Sequence, residues 1–354
     1  MVLALALVFQ PMLGLTMKAV TKGGAIGLSL SIMVIGAAFY LDADETVLPA
    51  LIAGALIAAA TFRQGRKVFI VGAGLIVMLP LWLAGPDTRL FADRSFFGLH
   101  QVLEMDGVRV YSNGTTLHGA QRLSDMGAAR PTPTTYYHPA APMGQVMQSA
   151  LGQSAERVGI VGLGVGSLAC YANEGQDWHL YEIDAMVDRV ARDPSLFTFL
   201  SACTPDAPTH LGDARVVLAG QDMRFDVLVI DAYSSDAVPV HLTTLEAMAL
   251  YLDRLTEDGV LVFHISNRFY DIGLPLARSA DALGVHAWRQ FQAVPASDDP
   301  GYRQSDVAII ARDPAHVAEL LESGDWTPMV SDGGPIWTDD KANPLSILKP
   351  GALH

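Results

Sequence analysis

The sequence predicts a chain in two parts: four apolar α-helical membrane spans, followed by a larger α/β region built on a doubly wound parallel sheet. Three observations predict it. Hydrophobic residues make up 51% of the 354 residues and charged residues only 17%, an apolar excess that needs a location. That excess lies at the front of the chain. Beyond it, short apolar strands alternate with helical patterns, the mark of a parallel sheet covered on both faces.

Four apolar runs, Val2 to Met17, Gly23 to Leu41, Val47 to Phe62 and Val68 to Ala84, contain no charged residue. Each is close to the length that crosses a bilayer core of about 30 Å. A signal peptide would explain only the first, and Met1 lacks the basic flank such a peptide needs. Residues 1–86 are therefore expected to be transmembrane, with the lipid bilayer as partner, in an integral protein of the bacterial inner membrane. None of the runs holds a carboxylate, Lys, Arg or His, which speaks against a transporter. Lys18 and Lys22 lie in the first loop and Arg63, Arg66 and Lys67 in the third, so the positive-inside rule places the chain from Gly85 onward outside the cytoplasm. A ligand made in the cytoplasm would argue for the other side, and the sequence leaves the side open.

Residues 87–150 are expected to hold a small β-meander, from about Phe97 to Leu123, because Asp106-Gly107 and Asn113-Gly114 are strong hairpin signals. A Pro-rich loop from Pro131 to Pro142 carries Tyr136-Tyr137-His138 and is expected to lie as a flap beside the main domain. Residues 151–354 then supply strands at Val158 to Leu163, Trp178 to Ile183, Phe225 to Asp231, Val260 to Ser266, Val285 to Phe291 and Val307 to Ala311. Ligands of such sheets bind beyond the carboxyl ends of the strands, where the loops after Leu163, Ile183, Asp231 and Ser266 should converge.

The first of those loops is Gly162-Leu163-Gly164-Val165-Gly166-Ser167, between a strand and a helix that it opens. Its glycines let the backbone approach a ligand and aim amides at it. Glu182 ends the next strand, where a carboxylate can accept hydrogen bonds from ribose hydroxyls. Ser167 stands where a dinucleotide fingerprint needs its third glycine, which favours an adenosyl sulfonium over NAD. Asp213, beside Ala214, is placed to accept from an adenine amino group, with a helix cap as the bland alternative. Together these features point to a Rossmann-type domain binding S-adenosylmethionine or its decarboxylated form.

The densest polar cluster is Asp231-Ala232-Tyr233-Ser234-Ser235-Asp236-Ala237-Val238-Pro239. Two carboxylates with a tyrosine between them can hold and deprotonate an ammonium, whose free pKa is about 10. His118, His138 and His264 fall near the expected pocket without metal-ligand spacing, so structural or substrate-positioning roles fit them better than metal binding. Cys170 and Cys203 make neither a disulfide framework nor a metal cluster. A net charge of −14 argues against nucleic acid as a partner and suits a cationic substrate.

Here the chain resembles the spermidine synthases, the aminopropyltransferases, and within them a membrane-fused, spermidine-synthase-like branch. The resemblance is carried by Asp231 to Pro239, Val158 to Gly166 with Glu182, Gly212-Asp213-Ala214 and Tyr137-His138. Asn113 to Gly119, Phe263 to Arg268 and Trp337-Thr338-Asp339-Asp340 add to it. It implies a β-meander joined to a methyltransferase-like sheet, assembled as a dimer or tetramer. It also implies transfer of the aminopropyl chain of decarboxylated S-adenosylmethionine to a polyamine, with release of methylthioadenosine. By that analogy Asp231 is the base, Asp236 and Tyr137 help hold the amine, and Glu182 and Asp213 hold the nucleoside.

Three departures matter. Val165 stands where the family carries an aspartate that grips the aminopropyl ammonium, Pro139 replaces a glutamate after Tyr-His, and the early glutamine of the family's acceptor pocket is replaced within the Leu117-His118 stretch. Ordinary S-adenosylmethionine thereby becomes a candidate substrate, and an acceptor-free lyase or cyclase reaction is an alternative to transfer. Methyl transfer and a non-catalytic nucleoside sensor complete the readings.

Overall fold

The computed structural model describes residues 17–40, 52, 55, 56, 72–74, 76, 88–114, 116–232, 240–293 and 302–349. The chain divides into two compact units, Met1–Asp87 and Thr88–His354.

In the first unit, helix α1 spans Met17–Tyr40, and Val34 packs in a small buried cluster with Ala55 and Ile76. Among the described residues no helix is long and apolar enough to cross a membrane, which overturns the expectation of four spans. The physical reason is visible in α1, onto which the second apolar run falls. It begins early enough to enclose Lys18 and Lys22, residues expected in a loop, so its first turns are not part of an apolar run. The buried Ser31 hydroxyl donates back to the Gly27 carbonyl at 2.8 Å. The other three runs, Val2 to Met17, Val47 to Phe62 and Val68 to Ala84, lie wholly or largely outside the described residues. The assignment to a bacterial inner membrane as an integral protein rested on the four spans and falls with them.

The second unit opens with an antiparallel four-stranded sheet: β1 (Thr88–Ser95), β2 (Gly98–Met105), β3 (Val108–Asn113) and β4 (Thr116–Arg122), in that order. The β2–β3 turn is Asp106-Gly107, both at positive φ, the geometry a two-residue primed turn demands. The meander is thus one strand longer than expected. β1 escapes notice because its sequence, TRLFADRS, shows no apolar alternation.

The main sheet contains β5 (Arg157–Val161), β6 (Asp177–Glu182), β7 (Thr209–Leu211), β8 (Phe225–Ile230), β9 (Leu255–His264), β10 (His286–Gln292), β11 (Ser305–Ala311) and β12 (Thr327–Pro328). Their spatial order is β12-β10-β11-β9-β8-β5-β6-β7. The five strands from β9 to β7 are parallel, and β11 returns antiparallel to β9. This is a Rossmann-type, methyltransferase-like order. The chain leaves β5 toward β6 on one side and later returns through β8 on the other, so a crevice opens between β5 and β8 at their carboxyl ends. Val227, Leu228 and Val229 of β8 are fully buried, as expected for a central strand covered on both faces.

Short helices cover the sheet: α2 (Pro142–Gln148), α3 (Ala150–Ser154), α4 (Ala185–Arg192), α5 (Phe199–Cys203), α6 (Ala214–Ala219), α7 (Leu245–Asp253), α8 (Gly273–Leu283) and α9 (Ala318–Glu322). A disulfide joins Cys170, in the turn of 3₁₀ helix after the glycine loop, to Cys203 at the end of α5, a separation of 33 residues. Closing a loop of that size is worth about 3–4 kcal/mol in the chain-entropy account. Urea unfolding of Cys170→Ala/Cys203→Ala should therefore lose roughly that amount against the oxidised chain, and dithiothreitol should bring the unaltered chain to the same midpoint. Equal midpoints for all three samples would show that the bridge does not form in solution.

Candidate functional site

The site is assembled at the carboxyl end of β5. Leaving that strand, the Gly162 amide donates to the Tyr181 carbonyl at 2.9 Å, and Gly162, Gly164 and Gly166 all have positive φ. At two of these positions the space as well as the dihedral requires glycine. A Cβ on Gly162 would strike the Asp231 backbone carbonyl, and one on Gly164 would come within 2.5 Å of the His118 carbonyl. The loop is thus wedged between the end of β8 and β4 of the meander.

Glu182, at the end of β6, is buried. Its Oε2 accepts the Leu163 amide and its Oε1 the Asp184 amide, each at 3.0 Å. Burial pushes its carboxyl pKa up, and these amides oppose the rise. The Ile183 amide also bonds this carboxylate, and of its roughly four acceptor positions one is left for a ligand hydroxyl. Asp213 caps α6, accepting from the amides of Arg215 and Val216 at 2.9 and 3.2 Å. Its other oxygen lies 3.2 Å from His241 Nε2. The bland reading of Asp213 as a helix cap is therefore present in the structure, alongside a position on the cavity wall.

A cavity of about 220 Å³ is lined by Gly162, Gly164, Glu182, Asp213, Ala214 and Asp231, together with Phe97, Asn113, Ile183, Asp184, His241 and Leu242 among others. A second cavity, of about 140 Å³, is lined by Thr116, Leu117, Tyr136, Tyr137, His264, Ser266 and Asn267. His118, Gly164 and Asp231 line both.

Asp231, at the junction, is almost fully buried, with 4% of its side chain exposed. The Tyr137 hydroxyl donates to its Oδ2. His264 Nδ1 lies 2.7 Å from its Oδ1, and the His264 ring stacks on Tyr136 at 4.6 Å. Tyr136 in turn donates to the Leu117 carbonyl at 3.1 Å. Burial first, and then the Asp231 charge, push the Tyr137 phenol well above its ordinary pKa, so it stays a donor throughout the physiological range. Asp231 is thereby oriented at both oxygens while its charge faces two cavities.

Most of the residues named from the sequence come together here. Gly166 does so indirectly, as the left-handed cap of the following 3₁₀ turn. His138 does not line either cavity. Its Nδ1 accepts the Ala140 amide and its ring meets Tyr302 edge-on at 5.4 Å. Tyr233 and Asp236 lie outside the described residues. Asp339 does not reach the cavities either: it pairs with Arg215 and accepts the Thr244 hydroxyl at 2.8 Å.

Sequence reasoning missed Asp184. It caps α4, accepts from Ser95 and lies 3.0 Å from His100 Nε2, while His100 Nδ1 meets the Tyr111 hydroxyl at 2.6 Å. This buried network ties β1, β2 and β3 to the main sheet and brings Phe97 and Asn113 to the cavity mouth. The one signal of Asp184 in the sequence is a polar residue before a helical run, a pattern that marks a helix cap and says nothing of a site.

The fold and the site define a Rossmann-type domain with an N-terminal β-meander and a cavity of about 220 Å³ at its topological switch point. No family model matches the chain. A polyamine aminopropyltransferase of Vibrio vulnificus (strain CMCP6) is 32% identical over 124 residues, which is 33% of this chain and 40% of that protein. The chain thus matches less than half the length of that curated relative. A probable spermidine synthase from Corynebacterium glutamicum ATCC 13032 superposes with a TM-score of 0.50 at 15% identity, covering 72% of this chain and 97% of that one. A spermidine synthase from Thermotoga maritima covers 66% of this chain and 75% of its own, at 18% identity and a TM-score of 0.47. In sequence the chain is thus similar to a polyamine aminopropyltransferase over 124 residues, and in fold it is similar to spermidine synthases.

Proposed function

We propose that the chain transfers an aminopropyl-type group from a decarboxylated S-adenosylmethionine, or from S-adenosylmethionine itself, to an amine, releasing methylthioadenosine. The observation that carries this reading is the position of Asp231, one buried carboxylate shared by two cavities. The larger cavity is read as the donor site: Glu182 takes a ribose hydroxyl, the glycine loop approaches the sulfonium, and Asp213 with Ala214 borders the base. The smaller cavity, walled by Tyr136, Tyr137 and His264, takes the acceptor.

In this arrangement the acceptor ammonium gives a proton to Asp231, and the freed nitrogen lone pair attacks the chain carbon bonded to sulfur. A carbon–nitrogen bond forms, the carbon–sulfur bond breaks, and its electron pair stays on sulfur. Tyr137 and His264 hold the carboxylate in line, which limits the reorganisation needed at the moment of transfer. Asp236 and Tyr233 come soon enough after Asp231 in the chain to hold the far end of a polyamine. The V. vulnificus relative, by its name, acts in this class of reaction.

Mass spectrometry of the full-length protein incubated with decarboxylated S-adenosylmethionine and putrescine tests the proposal. Methylthioadenosine and an aminopropylated amine should appear together in equal amounts. Methylthioadenosine released without any amine would replace transfer by chain cleavage, and S-adenosylhomocysteine formed from S-adenosylmethionine would indicate methyl transfer.

A further inference from the structure

The donor's chain must run from the nucleoside cavity to Asp231, so the side chains at the junction of the two cavities meet it. Among the described residues three line both cavities, and two of these, His118 and Asp231, have polar side chains. Asp231 is already bonded at both oxygens by Tyr137 and His264. His118 Nε2 is buried and has no hydrogen-bond partner. An orphan of that kind in a polar wall is a cost to the folded protein unless a ligand satisfies it.

The neighbouring backbone explains why this strand, and not the glycine loop, supplies the contact. Val165 is fully buried against Gly119, where a Cβ would collide with it, and it does not line either cavity. Gly164 leaves room for the His118 carbonyl to pass close by. The His118 ring leans on Tyr111 at 5.7 Å, and Tyr111 is itself held by His100. The imidazole is therefore positioned before any ligand arrives.

We infer that His118 is a specificity-determining residue for the donor: it accepts a hydrogen bond from the ammonium at the end of the sulfonium chain through Nε2, and does so as a neutral group. Burial pushes its pKa down to about 4, against the opposite pull of Asp231, so it carries no charge near neutral pH. A neutral acceptor recognises an ammonium without repelling a carboxylate on the same carbon. Decarboxylated S-adenosylmethionine and S-adenosylmethionine should consequently be discriminated only weakly by this wall. This role for His118 rests on the proposed donor site.

Its test is a binding comparison on the full-length protein, using methylthioadenosine, decarboxylated S-adenosylmethionine and S-adenosylmethionine as probes. Methylthioadenosine has no chain ammonium, so it reports the nucleoside site and the fold alone. His118→Ala should leave its Kd within about twofold and weaken decarboxylated S-adenosylmethionine by about 10- to 100-fold, the loss of one hydrogen bond to a charged group. His118→Asp should recover the decarboxylated donor and weaken S-adenosylmethionine further, widening the ratio between the two by about tenfold or more. Equal weakening of all three probes in both variants, or no weakening of the decarboxylated donor in His118→Ala, would overturn the inference. Differential losses in the two variants, together with a wild-type protein that never transfers a chain, would sink the transfer reading and leave this one standing. A wild-type protein that binds none of the probes would sink both.

Discussion

Asp231→Asn is expected to lower the turnover rate by about 10²–10⁴-fold, the usual worth of a positioned general base, while methylthioadenosine affinity changes by less than about twofold. Asparagine keeps the shape of the side chain and can still accept the Tyr137 hydroxyl, so the geometry around His264 and Tyr137 is largely preserved. What is lost is the proton acceptor between the cavities. The acceptor nitrogen is then held at its ordinary pKa of about 10, and only a small fraction is neutral at pH 7. Raising the assay pH should therefore recover part of the rate in the variant, because solution hydroxide does what the carboxylate no longer can. A variant that retains its full rate at pH 7 would show that Asp231 is not the base. Loss of methylthioadenosine binding along with the rate would instead assign it a structural role.

Gly162→Ala is expected to be the most damaging single-methyl change in the site. Gly162 has a φ of +93°, which an L residue adopts at a cost of about 1–2 kcal/mol. The new methyl would also meet the Asp231 backbone carbonyl, and relieving overpacking against backbone costs about 1–3 kcal/mol more. Because the obstacle is the backbone of Asp231, relief requires the β5 and β8 ends to move apart, and the Asp231 carboxylate moves with them. A stability loss of about 2–5 kcal/mol in urea unfolding should thus be accompanied by a fall in turnover larger than any change in methylthioadenosine affinity. Gly107→Ala is the control. Its φ of +76° carries a similar dihedral penalty, but open space surrounds it and it lies far from the cavity in a hairpin turn. Similar losses for the two variants would mean that the close approach at Gly162 has no energetic weight.

The features legible in the sequence were those set by short-range chemistry. Apolar β8, the glycine loop after β5 and the acidic end of β6 were each readable from a few adjacent residues. Asp106-Gly107 announced its hairpin because a primed turn needs positive φ at two successive residues. The four membrane spans mislead for a related reason. Length and freedom from charge alone make an apolar run look like a span, and α1 shows that an element's ends can enclose lysines that the run leaves out. Asp213 illustrates a different ambiguity: a carboxylate before a helix is a cap whether or not its other oxygen faces a ligand.

From its sequence alone, then, this protein had a doubly wound sheet, a meander before it, and a glycine loop paired with a carboxylate, because strand periodicity and turn geometry are local and repeat within a few residues. Tertiary structure alone decided that Tyr137 and His264, 94 and 33 residues from Asp231, would grip its two oxygens. It also decided that His118 would line both cavities while Val165 turned away, and that Asp184 would bind the meander to the sheet through Ser95 and His100. Such contacts depend on how layers pack, and buried polar atoms find partners by distance in space, for which separation along the chain is no guide.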